Sequence, residues 1–197
     1  MAKLLLATNN RGKIEELRDL LHDSGSEILT PQDLQLDLDV EESGKTYLEN
    51  ASKKAAAYAS KSGLLSLADD SGLEVDALGG APGIYSARYA PISGASDKDR
   101  RVYLLAQLKE LQKPWLAKFH CTVVLATPNG EVHSADGECA GEIIPDERGT
   151  AGFGYDPIFF IADLGKTMAE LSMHEKNQIS HRARAVQSLW PTLITQL

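Results

Sequence analysis

The chain has 197 residues, 43% of them hydrophobic and 24% charged, with a formal net charge of −8. That length suits a single domain, 1–197, or two lobes sharing one core, and supplies enough apolar material that neither disulfides nor a structural metal is needed. An acidic chain without a basic stripe is a poor partner for a nucleic-acid polymer, whose affinity comes largely from neutralised phosphates, though a few placed cations suffice for a small anion.

The first apolar run, Leu4-Leu5-Leu6-Ala7, is too short for a secretory leader or a membrane span. It predicts a short buried strand, followed by a helix over 12–21 with Ile14, Leu17, Leu20 and Leu21 on one face. Residues 33–42 are acidic with alternating Leu34, Leu36 and Leu38, which predicts an edge strand. Thr46-x-x-Glu49 has the form of a capping box and opens a helix that Gly63 ends. Leu64 to Ala68 reads as a second strand, stopping at Asp69-Asp70-Ser71-Gly72. Ser96-x-x-Asp99 starts a helix carrying Val102, Leu105 and Leu108, and Pro128-Asn129-Gly130 joins two strand-like runs as a hairpin. After Pro157 the pattern turns helical, with Ser180 an N-cap and Pro191 ending or kinking the last helix. Helices interleaved with strands, plus a hairpin, predict an α/β fold with a mixed sheet.

Thr8-Asn9-Asn10-Arg11-Gly12-Lys13 lies between a strand and a helix, where free N–H groups, the helix dipole and the Lys13 charge favour an anion, or where a polar turn simply starts a helix. It lacks the glycine and Ser/Thr of a P-loop. Asp69 and Asp70 repel each other unless a cation or hydrogen bonds hold them, and hard oxygen donors beside a phosphate site point to Mg²⁺; a solvated turn is the bland alternative. Glu41 and Glu42 can complete such a set. Lys53 and Lys54 form a solvated face unless one reaches inward to a phosphate. Lys176, His181, Arg182 and Arg184 crowd cations towards a helix N-terminus, which the dipole disfavours and an anionic or keto-bearing ligand would explain. Phe153-Gly154-Tyr155-Asp156 offers a stacking face, a flexible backbone and a carboxylate, as a purine needs or as a tight packed turn uses. Cys121 and Cys139 have no metal-ligand spacing, and are expected to be reduced thiols in a cytoplasmic protein with no membrane partner.

Six blocks in order carry a resemblance over nearly the whole chain. They are Thr8 to Lys13; Glu41-Glu42-Ser43-Gly44; Glu49 to Ala55; Ala68 to Leu73; Leu78 to Tyr89; and Gly152 to Pro157 followed by Glu175-Lys176-Asn177 and Ser180-His181-Arg182. Together they resemble the inosine triphosphate pyrophosphatase family, in its bacterial branch. The resemblance implies a two-lobed α/β fold with a long mixed central sheet flanked by helices, an active-site cleft between the lobes, and a homodimer. It further implies Mg²⁺-dependent hydrolysis of ITP, dITP and XTP to the monophosphate and pyrophosphate, which removes them from the nucleotide pool. Thr8, Asn9, Asn10, Arg11, Gly12, Lys13 and Lys54 would then meet phosphates. Glu41 and Asp70 would be metal ligands, with Asp70 the proton acceptor and Asp69 close by. Ser71, Phe153, Gly154, Tyr155, Asp156, Lys176, His181 and Arg182 would hold the rest of the nucleotide. A pyrophosphatase for modified pyrimidine nucleotides, a general nucleotide phosphatase and a nucleotide sensor without turnover are the competing classes.

Overall fold

The computed structural model describes all residues, 1–197. In chain order it contains β1 (Lys3–Leu6), α1 (Arg11–Leu20), β2 (Glu27–Leu29), α2 (Tyr47–Ser62), β3 (Leu65–Val75), α3 (Asp97–Leu108), β4 (Trp115–Ala126) and β5 (Val132–Ile143). β6 (Phe159–Ile161), β7 (Lys166–Thr167), α4 (Met173–Ile179) and α5 (His181–Gln196) follow. The seven strands form one mixed sheet of order β2-β1-β3-β4-β5-β6-β7. β1 pairs parallel with β2 and β3, whereas β6 pairs antiparallel with β5 and β7. The α/β class with a mixed sheet is therefore as expected. No helix is long and apolar enough to cross a membrane.

The chain divides into two compact units, one of residues 1–70, 121–137 and 181–197, the other of 71–120 and 138–180. In the first, side chains alternate across the strands, as a period of two requires. Leu4 and Leu6 of β1, Leu67 of β3 and Cys121, Val123 and Leu125 of β4 join Leu17 and Leu21 of α1 and its margin with Ala185, Val186, Leu189 and Leu193 of α5. Leu5, Ala7, Ala68, Val124 and Ala126 point the other way, onto Ala51, Ala55, Tyr58 and Ala59 of α2. Both faces being covered is why these strands read as continuous apolar runs. Fully burying each leucine contributes about 1.5–3 kcal/mol. In the second unit, Leu73, Leu104, Leu108, Trp115, Phe119, Ile143 and Phe159 are among the residues of a third cluster, with the Phe119 and Phe159 rings 4.3 Å apart.

Several local expectations need correction. β3 does not stop at Asp69 but continues through Asp69-Asp70-Ser71-Gly72 to Val75, because burial and side-chain partners override the turn-like composition. Residues 33–42 form no strand. Asp33 Oδ2 accepts the amide and hydroxyl of Thr30 (2.8 and 2.7 Å), and Gln35 takes φ +52°, so the chain bends while Leu34, Leu36, Leu38 and Val40 still pack on the α2 side. On α3 the buried pair is Leu104 and Leu108, four apart, while Val102 is 56% exposed. After Pro157 come β6 and β7 before any α-helix, and α5 runs on through Pro191 to Gln196. Thr46 Oγ1 does accept the Glu49 amide, but Glu49 returns its carboxylate to the amide of Lys45 rather than of Thr46. The predicted hairpin turn is present: the Thr127 amide donates to Glu131 O (2.9 Å), and Gly130 adopts φ +90°.

Candidate functional site

In the first unit, β1 hands over to α1 through Thr8 and Asn9. Asn10 caps α1, its Oδ1 accepting the Lys13 amide at 3.1 Å. The first turn of α1 carries no acidic residue, so the partial positive charge of its N-terminus has no local counterion. Asn9, Asn10 and Arg11 are exposed there, and Thr8, Gly12 and Lys13 are half-buried.

Two lysines converge beside this turn. Lys13 Nζ and Lys54 Nζ both donate to the backbone carbonyl of Asp69, at 3.3 and 2.7 Å. Lys54 also pairs with Glu42 at 2.8 Å and lies 3.8 Å from Asp70. The Asp69 carboxylate is fully buried, and its Oδ2 accepts Arg182 Nε and Nη2 (3.1 and 3.0 Å) and meets Lys13 Nζ at 3.1 Å. Arg182 in turn uses Nη1 on Glu16, a buried carboxylate of α1. Asp70, one residue on, accepts only a neutral donor at hydrogen-bond distance among these contacts: Asn50 Nδ2 gives to its Oδ2 at 3.0 Å. Asn50 Oδ1 simultaneously accepts the Gly44 amide at 2.8 Å, and a Cβ on Gly44 would fall 2.5 Å from that oxygen, so only glycine fits.

The adjacent aspartates consequently differ. Burial would raise the Asp69 pKa, but the charges of Lys13, Arg182 and Lys54 outweigh it and hold the carboxyl well below the usual range. For Asp70 burial prevails, and the carboxyl is pushed up against the pull of Lys54 and Lys13. Burial pulls Lys54 down, yet Asp69, Asp70 and Glu42 together raise it, so its ammonium stays charged. Of the two connector carboxylates, Glu42 is held by Lys54, and Glu41 is exposed. His181, the first residue of α5, is buried beside Arg182 in sequence.

The second unit holds Ser71 and the aromatic segment. Asp156 is buried, and its Oδ2 accepts Lys176 Nζ at 2.6 Å and the Phe153 amide at 3.0 Å. Lys176 Nζ also sits 5.4 Å from the centroid of the Phe153 ring, a cation–π distance. A Cβ on Gly152, whose φ is +73°, would fall 2.0 Å from Asp156 Oδ2, so this closure requires glycine. Tyr155 OH donates to Ser86 O at 2.9 Å, and Ser86 Oγ accepts the Leu73 amide at 2.8 Å. Tyr155 is thereby buried as a strut, and the Phe153 ring is left half-buried.

Lys13, Lys54, Asp69, Asp70 and Arg182 are thus brought together in one unit, and Phe153, Asp156 and Lys176 in the other. The sequence-predicted set omits Glu16, Asn50, Asp97 and Arg101. Glu16 reads as an ordinary solvent-facing helical glutamate, and its buried partner lies far along the chain. Asn50 had a faint signal, a polar residue on the apolar face of α2 between Tyr47 and Ala51.

The sequence model described as the Ham1 family matches residues 4–192. The chain is 47% identical over 186 residues to a dITP/XTP pyrophosphatase of Desulforamulus reducens, covering 94% of this chain and 92% of that one. It is 49% identical over 189 residues to a dITP/XTP pyrophosphatase of Gloeobacter violaceus, covering 96% and 93%. Among solved structures, a HAM1 protein from Coxiella burnetii superposes with a TM-score of 0.88 at 39% identity, covering 99% of this chain and all of that one. The Ham1 protein of Staphylococcus aureus gives 0.84 at 40% identity, with the same coverage.

Proposed function

Because the chain belongs to the Ham1 family, we propose that it hydrolyses non-standard purine nucleoside triphosphates, dITP, ITP and XTP, to the monophosphate and pyrophosphate. Two ammonium groups converging on the Asp69 carbonyl, beside the less compensated Asp70 carboxyl, are the observation that carries the proposal. Lys13 and Lys54, with the free N–H groups at the start of α1, suit the triphosphate; an electrostatic role of this kind is worth several kcal/mol in a transition state. Asp69 is the buried counterion that keeps Lys13 and Arg182 in place. Asp70 accepts the proton from the attacking water, since its carboxylate is not tied to a guanidinium.

The donor set suits Mg²⁺, which takes one or two carboxylates and fills its remaining positions with phosphate oxygens and water. Asp70 and Glu41 would hold it, because Glu42 already carries the Lys54 ammonium, whose charge opposes a second cation. Bound there, Mg²⁺ would neutralise phosphoryl oxygens and lower the pKa of a water.

The Phe153 ring and Lys176, fixed by Asp156, suit a purine with an oxygen at position 6; that oxygen accepts a hydrogen bond where the adenine amino group would leave the donor unpaired. Arg182, committed to Asp69 and Glu16, acts through them. We further propose a cytoplasmic homodimer.

The test is pyrophosphate release from ITP, dITP, XTP, ATP and GTP, with Mg²⁺ and with a chelator. Mg²⁺-dependent release from the first three alone is expected. Orthophosphate as the product would replace this proposal with a general phosphatase, equal cleavage of ATP would sink the base selectivity, and binding without turnover would indicate a sensor.

A further inference from the structure

The segment that carries Phe153 and Tyr155 is gripped from an unexpected direction. Gly154, in the left-handed region at φ +62°, has both of its peptide polar groups taken by side chains of α3. Its amide donates to Asp97 Oδ2 at 2.8 Å, and its carbonyl accepts Arg101 Nη1 at 2.8 Å. Asp97 and Arg101 are four apart and so lie on one helical face. Each is anchored in its turn. Arg101 presents Nε and Nη2 as a fork to the two carboxylate oxygens of Glu147, at 2.9 and 3.0 Å. Asp97 pairs with Arg100, which also donates to the carbonyls of Ala87 and Ala95. Burial acts to raise the Asp97 pKa, but the Gly154 amide and Arg100 outweigh it, so the residue stays ionised and its bond to the amide charge-assisted.

A loop amide and carbonyl would ordinarily be satisfied by water, leaving the peptide free to turn. Here the residue between the two aromatics is held at its N–H and at its C=O, so the two successive peptide groups that flank it are each tied to a charged group of one helical turn. We propose that Asp97 and Arg101 are positioning residues that set base affinity and selectivity by fixing the Gly154 peptide, and with it the Phe153 ring and Lys176, an inference that rests on the proposed role of residues 153–156 in holding the purine. The hydrogen bonds of the pair go to Gly154, Glu147 and Arg100, so its removal acts on recognition of the base, not on the chemical step.

The experiment is steady-state kinetics with ITP and ATP, together with thermal unfolding, for D97A, D97N, R101M and F153A. Losing one charge-assisted bond to the segment is expected to raise KM for ITP about tenfold in D97A and R101M, with kcat within about twofold and the ITP-to-ATP ratio of kcat/KM reduced. D97N, which keeps an acceptor for the Gly154 amide, should restore most of the affinity. A purely structural role would lower the melting temperature and the active fraction while leaving KM and the ITP-to-ATP ratio unchanged, and that result overturns the inference. F153A separates the two levels. Unchanged KM in F153A removes the purine role of the segment itself, whereas raised KM in F153A with unchanged KM in D97A and R101M removes only the clamp. If D97A does not fold, R101K carries the same test, since an ammonium cannot hold the Glu147 fork and the Gly154 carbonyl together.

Discussion

Glu16→Gln is the most informative single change in the first unit, because it removes one charge and almost no volume. Glu16 is 2% exposed and Arg182 1%, and with Asp69 and Lys13 they make a set of two negative and two positive charges. Glutamine leaves an uncompensated positive charge in a buried place. Breaking a buried ion pair by removing one partner costs about 3–5 kcal/mol. Arg182 keeps its two bonds to Asp69, so the lower end applies, about 3 kcal/mol. For a chain of this size that corresponds to a fall in melting temperature of roughly 6–12 °C, and to roughly 1 M in the urea midpoint at unchanged slope. Equilibrium urea unfolding with fluorescence from Trp115 and Trp190 reads it directly. A loss below about 0.5 kcal/mol, the range of ordinary surface substitutions, would refute the reasoning and mean that water reaches the pair.

Asp70→Asn should leave a folded protein with pyrophosphate release reduced by at least about a thousandfold, on the scale of losing a base together with a metal ligand; near-normal turnover rules out the assignment. Gly137→Ala would put a Cβ 2.2 Å from the His181 carbonyl and 2.4 Å from the Ala185 amide, backbone that cannot swing aside. It should destabilise by about 3 kcal/mol and lower kcat/KM by moving the start of α5; a melting temperature within 2 °C or so of the parent would contradict the close approach. Glu175 caps α4 and pairs with Lys166 at 2.8 Å, and its pKa is lowered to about 2. A depressed folded-state pKa contributes stability that is complete above the unfolded value, near 4.5, and is lost as pH falls through about 2. Urea midpoints of the parent and Glu175→Gln should therefore differ at pH 6 and converge towards pH 2, and a constant gap would exclude this linkage.

Local signals were readable where local physics decides. The polar turn after β1, the N-cap of α3, the Gly63 stop and the Asn129-Gly130 turn all report on residues within four of one another, and all are present. What failed depended on distant partners. Asp69-Asp70-Ser71-Gly72 reads as a turn until Lys13, Lys54 and Arg182 supply the charge that lets carboxylates lie within a buried strand. Leucines 34, 36 and 38 alternate like a strand, yet their fixed demand is only to cover α2, and the Thr30–Asp33 turn supplies a different path. Pro191 is expected to end or kink a helix; it does not end α5, since Leu189 and Leu193, buried on either side of it, hold the helix in register. In the site, residue types that bind a phosphate stood out, while Glu16, Asp97 and Arg101 did not, because a charged residue serving another side chain or a peptide looks the same in sequence as one serving solvent.

The order in which the first unit is assembled has a consequence for how it is made in the cell. Leu4 and Leu6 share a cluster with Ala185, Leu189 and Leu193, roughly 180–190 residues further along the chain. At roughly 5–20 residues per second, translation leaves that face of β1 only partly covered, by Leu17 and Leu21 of α1, for on the order of 10–35 s. A nascent strand of three consecutive leucines is an attractive target for holdase chaperones throughout that interval, and slowing elongation late in the message would lengthen its exposure.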